Sequence, residues 1–206
     1  MEIKISKSKL EIVQGDIVAQ ATDAIVNAAN TRLIPGGGVD GAIHRAAGPG
    51  LREECKKLGG CLQGEAKITK GYNLKARYVI HTVGPVYGTS RLGGDSGKPE
   101  DAEILKTSYL NSLNLAIQNN LKSISFPAIS TGAFGYPLEE AAHISLTTVI
   151  EFLKKHPELL LVRFVLYSQP EYEVYKTLSS KMKSQSSNAN VQMPKPKSIA
   201  TKTLKH

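Results

Sequence analysis

Residues 24–44 read Ala24-Ile25-Val26-Asn27-Ala28-Ala29-Asn30-Thr31-Arg32-Leu33-Ile34-Pro35-Gly36-Gly37-Gly38-Val39-Asp40-Gly41-Ala42-Ile43-His44. The first four are a short apolar run suited to a buried strand, and Gly41 through Ala47 reads as a helix. A Gly-rich loop joins the two. The same alternation of strand and helix recurs along the chain. Leu10-Glu11-Ile12-Val13-Gln14, Tyr78-Val79-Ile80-His81-Thr82-Val83, Ser123-Ile124-Ser125-Phe126-Pro127 and Val162-Arg163-Phe164-Val165-Leu166-Tyr167 all have strand character, and a Gly84-Pro85 turn closes the second of them. Helical spacing lies between them. Leu105, Tyr109, Leu113 and Ala116 share one face; Leu138, Ala142, Leu146, Val149 and Leu153 share another. Pro137 suits the first turn of that second helix, and Lys154-Lys155 suits its carbonyl-rich end. Pro170 to Met182 reads as a last helix, and the Gly-rich residues 88–102 as a long surface loop. There is no internal repeat. The pattern predicts an α/β fold around a largely parallel or mixed sheet.

Composition narrows the class. With 206 residues, 41% of them apolar and 21% charged, the chain has the make-up of a soluble globular domain with a real core. No stretch approaches the roughly 20 apolar residues of a membrane span. The best, Leu159 to Tyr167, is short and broken by Arg163, and the amino terminus lacks the pattern of a signal peptide. Cys55 and Cys61 are too few for a disulfide framework or a four-ligand zinc site, so a reducing cytoplasm is expected. The net charge is +8, but six Lys and no acid fall in residues 180–206. Rich in Ser, Asn, Gln, Pro and Lys, that stretch has too little apolar surface to offset the entropy of ordering. It is expected to be a disordered tail on a nearly neutral domain spanning 1–179. The tail reads as a solvated extension in preference to a nucleic-acid arm.

In such sheets, ligands bind beyond the carboxyl ends of the strands. Two Gly-rich segments lie there. In the first, Gly36, Gly38 and Gly41 satisfy G-x-G-x-x-G, the fingerprint of dinucleotide binding. Three features argue against it: a long loop separates strand from glycines, Asp40 would repel a pyrophosphate, and no acid-ended strand follows at the right distance. Asn30 can donate to and accept from sugar hydroxyls, although Asn27 and Asn30 also suit a plain turn. Asp40 fits a general base or a helix cap equally well. His44, one helical turn on, reads more readily as a partly buried structural histidine. No further ligand joins Asp40 and His44 for a metal.

The second segment, Ala128-Ile129-Ser130-Thr131-Gly132-Ala133-Phe134-Gly135-Tyr136-Pro137, offers successive backbone N–H groups as an anion nest. It lacks the Gly-Lys-Ser/Thr of a Walker loop, and Ala128 replaces the first Gly of a nucleophile elbow around Ser130. Phe134 suits stacking on a ligand, or anchoring the loop. Together the two loops predict a phosphorylated sugar as ligand.

Gln14-Gly15-Asp16-Ile17, Asn27-Ala28-Ala29-Asn30, Gly36 to Gly41 with Ile43-His44-Arg45-Ala46-Ala47-Gly48, His81-Thr82-Val83-Gly84-Pro85 and Ile129 to Pro137 resemble the macro domain family, most closely its MacroD-like branch. The resemblance covers residues 1–179, with the motifs in order. It implies a three-layer α/β/α sandwich with a mixed central sheet and a cleft for ADP-ribose. It implies that Asp16 recognises the adenine amino group and that Ile17 lines the adenine pocket. Ser130, Thr131, Gly132, Ala133, Phe134 and Gly135 would wrap the diphosphate, with Phe134 also orienting the distal ribose. Asn27, Gly37, Gly38 and Val39 complete the implied binding set, and Tyr167 is the candidate for stacking on adenine. Asn30, Asp40 and His44 fall on the positions tied to the distal ribose and its hydrolysis. Pro35 departs from the pattern, since many relatives carry another Gly there.

The implied activity is hydrolysis of esters on the distal ribose: deacetylation of O-acetyl-ADP-ribose, and removal of mono-ADP-ribose from Asp and Glu side chains of proteins. No cofactor, metal or Cys or Ser nucleophile is called for. The competing reading is a non-catalytic reader of ADP-ribose, which the Asn30/Asp40 pair disfavours. A third, removal of ADP-ribose from nucleic-acid ends, stays open.

Overall fold

Ala24–Ala28, the run that opens the first glycine loop, forms strand β3, and its backbone groups find partners on both sides. The computed structural model describes residues 1–88 and 99–189. In chain order the other strands are β1 (Glu2–Ile5), β2 (Ser8–Gln14), β4 (Ala66–Lys70), β5 (Tyr78–Thr82), β6 (Ser123–Phe126) and β7 (Leu161–Leu166). They build one sheet of seven strands in the order β1-β2-β7-β6-β3-β5-β4. The five inner strands are mutually parallel, and the two edges are antiparallel to their neighbours. All five carboxyl ends therefore open onto one edge of the molecule.

Both edge strands go beyond what the sequence predicts. β1 has four residues, and its outward Glu2 and Lys4 mask the alternation of Ile3 and Ile5. β4 carries Lys67 and Lys70, which suit an edge exposed to water but weaken an apolar signal.

The helices are α1 (Gly38–Ala47), α2 (Pro49–Lys57), α3 (Pro99–Gln118), α4 (Leu138–Lys155) and α5 (Gln169–Ala189). α3, α4 and α5 cover one face of the sheet, where Tyr109, Phe126, Phe164 and Tyr175 form a buried aromatic cluster. α1 and α2 cover the other, with Ile43, Leu51 and Cys55 on Ile25, Val79 and Val83. This is the expected three-layer sandwich. Side chains alternate along a strand, so Ala24 and Val26 face the aromatic side while Ile25 faces α1 and α2. Asn27, two residues on, shares the face of Ile25.

Three local expectations are corrected. Pro137 caps α4 from outside instead of opening its first turn. Pro99 to Ala102, expected in the surface loop, already belong to α3, where Glu100 and Asp101 suit the positive helix start; residues 89–98 lie outside the described residues. α5 continues to Ala189, past the boundary at 179, because Tyr175, Leu178 and Met182 keep helical spacing against the core. The remainder of the tail, 190–206, lies outside the described residues.

Candidate functional site

The loops after β3 and β6 face each other across a cavity of about 310 Å³ at the carboxyl edge of the sheet. On the first wall the chain leaves β3 through a turn built by Asn30. Its Oδ1 accepts from the amides of Arg32 (3.2 Å) and Ile34 (3.3 Å), and its Nδ2 donates to the Ile34 carbonyl at 2.6 Å. The turn-forming role is real, and the half-buried side chain still lines the cavity. Gly36 to Gly38 then lead into α1. At Gly41 a Cβ would lie 2.5 Å from the Gly36 carbonyl oxygen, so only glycine lets the helix pack on its own loop.

Asp40 sits in the first turn of α1 and is 4% exposed. One oxygen accepts from the Gly36 amide at 2.5 Å, the other from Asn27 Nδ2 at 2.6 Å. Asp40 is therefore not the helix cap: α1 starts at Gly38, after Gly37 and without a side-chain cap, and Asp40, inside the first turn, reaches back to Gly36 and shapes the glycine loop. Each oxygen keeps a further lone pair for a ligand or water.

Asn27 does not face the cavity. Fully buried, it supports Asp40 from behind, and its Nδ2 also lies 3.1 Å from His81 Nδ1. β3 and β5 pair Asn27 directly with His81. His81 Nε2 lies 2.9 Å from Thr69 Oγ1, and the Thr69 hydroxyl donates to the Val79 carbonyl at 3.5 Å. Burial, reinforced by His44, pushes the His81 pKa down to about 3, so the ring is neutral. An amide donor at Nδ1 then puts its proton on Nε2. Cys55 Sγ is 3.7 Å from the same Nε2, and burial first, then Asp40 and Glu54, push the thiol up to about 11. Cys55 is therefore a packed thiol, not a thiolate nucleophile.

The second wall is made by the loop from Ala128 to Pro137. The Tyr136 amide donates to the Ser130 carbonyl and Gly135 to Gly132, which closes a tight turn. Among the described residues, the amides of Thr131, Gly132, Ala133 and Phe134 find no acceptor. Four free donors in succession are what an anion nest requires. Ser130 has φ +67, and its buried hydroxyl lacks a partner among the described residues. Gly84, after β5, lies so close that a Cβ there would stand 2.1 Å from Ser130 Oγ.

Of the expected binding residues, Gly37, Gly38, Val39, Ser130, Gly132, Ala133 and Phe134 line this cavity together with Asn30 and Asp40. Thr131 and Gly135 belong to the same loop but not to the lining; the Thr131 hydroxyl turns back to the Ala128 carbonyl at 3.0 Å. Asp16, Ile17 and Tyr167 lie outside the cavity, at the ends of the neighbouring strands β2 and β7. Asp16 accepts from the Val18 amide at 3.0 Å, Ile17 is buried, and Tyr167 is 80% exposed.

His44, expected beside Asn30 and Asp40, does not line the cavity. It is 7% exposed and stands behind Asp40, with Nε2 3.6 Å from Oδ1. Burial holds it below the ordinary imidazole range; Asp40 opposes that shift and Arg52 adds to it. Gly84 and His81 are the site residues that loop reading missed. Their signals in the sequence are the Gly84-Pro85 turn after a strand and the His81-Thr82-Val83-Gly84-Pro85 motif. Among the described residues no group of three His, Cys, Asp or Glu could hold a metal ion, and no helix is long and apolar enough to cross a membrane.

Residues 26–145 match the family model of the macro domain. A macro domain-containing protein of Chlorobaculum tepidum is 54% identical over 167 residues, covering 81% of this chain and 93% of that one. An O-acetyl-ADP-ribose deacetylase of Citrobacter koseri is 48% identical over 176 residues, covering 84% and 96%. Among solved structures, the Oceanobacillus iheyensis macrodomain with ADP superposes with a TM-score of 0.84 at 42% identity, covering 90% of this chain and 97% of that one.

Proposed function

Because the chain belongs to the macro domain family, we propose that it binds ADP-ribose across the carboxyl edge of its sheet and hydrolyses esters on the distal ribose. The substrates are O-acetyl-ADP-ribose and proteins mono-ADP-ribosylated on Asp or Glu. The observation that carries this reading is the placement of Asp40: a buried carboxylate, held by two N–H donors, lines the same cavity as Gly132, Ala133 and Phe134, whose amides are free among the described residues.

The diphosphate lies in the Thr131–Phe134 amides, which are positioned before it arrives and need no reorganisation. Phe134 and Asn30 bracket the distal ribose. Asp40 orients and deprotonates the water that attacks the ester carbonyl, and holding ester and water together supplies proximity. Adenine extends toward Asp16, Ile17 and the exposed ring of Tyr167. Asn27 touches no substrate in this scheme; it holds Asp40, and His44 stands behind the carboxylate. The likeness to a named O-acetyl-ADP-ribose deacetylase supports hydrolysis over mere reading of the mark. A cytoplasmic setting is part of the same proposal and fits the two free, buried cysteines.

The test is turnover of O-acetyl-ADP-ribose by wild type and Asp40→Ala. Wild type is expected to release acetate, and the variant to lose about 10²-fold or more in kcat. Calorimetric binding of ADP-ribose by a wild type that releases no acetate would make the protein a reader instead.

A further inference from the structure

A second cleft, of about 390 Å³, lies on the other side of the glycine loop and shares Gly36 with the first. Pro35, His44, Arg45, Pro49 and Arg52 form most of its remaining wall. Gly41, His44 and Arg45 are spaced to share one face of α1, Gly48 follows at its end, and Arg52 reaches in from α2. The absence of a side chain at Gly41 admits the Arg45 guanidinium, since a Cβ there would stand 3.0 Å from Nη1. Two further observations mark the cleft as built for a ligand. Among the described residues, neither Arg45 nor Arg52 forms a hydrogen bond or ion pair with a carboxylate. His44 is more than nine-tenths buried in its wall, yet among the described residues neither ring nitrogen has a hydrogen-bond partner.

We propose that this cleft is the subsite for the polypeptide that carries the ester, where Arg45 and Arg52 take the carboxylate of an acidic residue beside the modified one and His44 supplies a ring N–H. The proposal rests on the ester-hydrolase reading and sharpens its substrate class. With the sugar in the first cavity, the acyl side of the ester leaves past Asp40 and Gly36, where the two clefts meet. An acetyl group ends before that point and needs no second cleft, whereas a protein substrate continues into it. Guanidinium forks match carboxylates in paired geometry. Two cations with no Phe, Tyr or Trp in the lining suit a short acidic peptide better than a nucleic-acid strand, which asks for a longer cationic track and broad stacking surfaces.

The test compares wild type, Arg45→Glu/Arg52→Glu and Arg45→Lys/Arg52→Lys on three substrates. These are O-acetyl-ADP-ribose, a peptide ADP-ribosylated on Glu with a neighbouring Glu, and the same peptide with Gln as the neighbour. The charge-reversed variant is expected to lose about tenfold or more in kcat/KM on the acid-flanked peptide, mostly through KM. It should keep wild-type rates on O-acetyl-ADP-ribose and the Gln peptide, and the Lys variant should recover part of the loss. A parallel loss on all three substrates, or no loss on the acidic peptide, overturns the proposal. So does a loss confined to an ADP-ribosylated oligonucleotide run alongside, which would give the cleft to nucleic acid. If wild type turns over no ester, the hydrolase reading fails by itself. The calorimetric affinity difference between acidic and Gln peptides, in wild type and the charge-reversed variant, then decides the cleft.

Discussion

The loop after β3 and the loop after β6 face each other across one cavity, and they treat their polar groups in opposite ways. In the first, Asp40 and Asn30 are already bonded within the protein, with support reaching through Asn27 to His81 and Thr69 in the sheet. In the second, among the described residues, four amides and the Ser130 hydroxyl have no partner. A wall whose groups are bonded beforehand holds its carboxylate in place, while a wall of free donors waits for an anion. Catalysis by positioning asks for both: a fixed group near the reacting atoms and a cradle whose donors are satisfied by the ligand.

The contrast can be broken most strongly at Asn27. Asn27→Ala removes one of the two donors on Asp40 from a buried site, and kcat on O-acetyl-ADP-ribose is expected to fall by about 10²-fold while ADP-ribose affinity changes little. An equal loss of affinity and rate would mean that the two walls are not functionally separate. Gly84→Val attacks the other wall. Its Cβ would overlap Ser130 Oγ and Ile129 Cγ2, so ADP-ribose affinity measured by calorimetry should drop about tenfold or more, with about 1–3 kcal/mol of stability lost. Wild-type affinity in that variant would show that the cradle tolerates displacement of Ser130.

His81 sharpens the comparison through pH. Its folded pKa of about 3 lies below the ordinary value of 6.5, so between those values the unfolded chain binds the proton and the native state does not. Stability contributed by the neutral ring is therefore fully present above pH 6.5 and lost as pH falls toward 3, at up to about 1.4 kcal/mol per pH unit. Urea midpoints of wild type should decline over that range more steeply than those of His81→Leu; matching slopes would remove His81 from the acid response. The smallest effect is expected at Ser130. Ser130→Gly relieves a left-handed φ worth about 1–2 kcal/mol but adds backbone entropy to the unfolded chain, leaving a net change below about 1 kcal/mol. Thermal melts check it, and a loss of several kcal/mol would reveal a structural bond through the hydroxyl.

Most of the sandwich is legible in the sequence because hydrophobic period is a local property. Leu105, Tyr109, Leu113 and Ala116 are all fully buried along α3, as their spacing predicts, and the five apolar runs are the five inner strands. β1 and β4 are harder to read. They are short, carry lysines, and owe their strand state to the ladder each forms with one neighbour. The site divides in the same way. Glycine-rich loops at strand ends point to a cavity, and most of the residues in them line it. His44 and Asn27 are different, because a one-residue change of direction decides whether a side chain meets ligand or core.

The sequence by itself determined the layering and the two loops, one with a carboxylate and one with a run of backbone amides, since each depends on residues close along the chain. Only the tertiary structure decided what stands behind those loops. Asn27 and His81 are 54 positions apart, and parallel register of β3 with β5 sets them side by side beneath α1. Register is fixed by backbone hydrogen bonds and by the burial of Ile25 and Val79 on the same face, which no local pattern encodes. The second cleft arises likewise, from α1 and α2 meeting across Gly48 with Arg45 on one helix and Arg52 on the other.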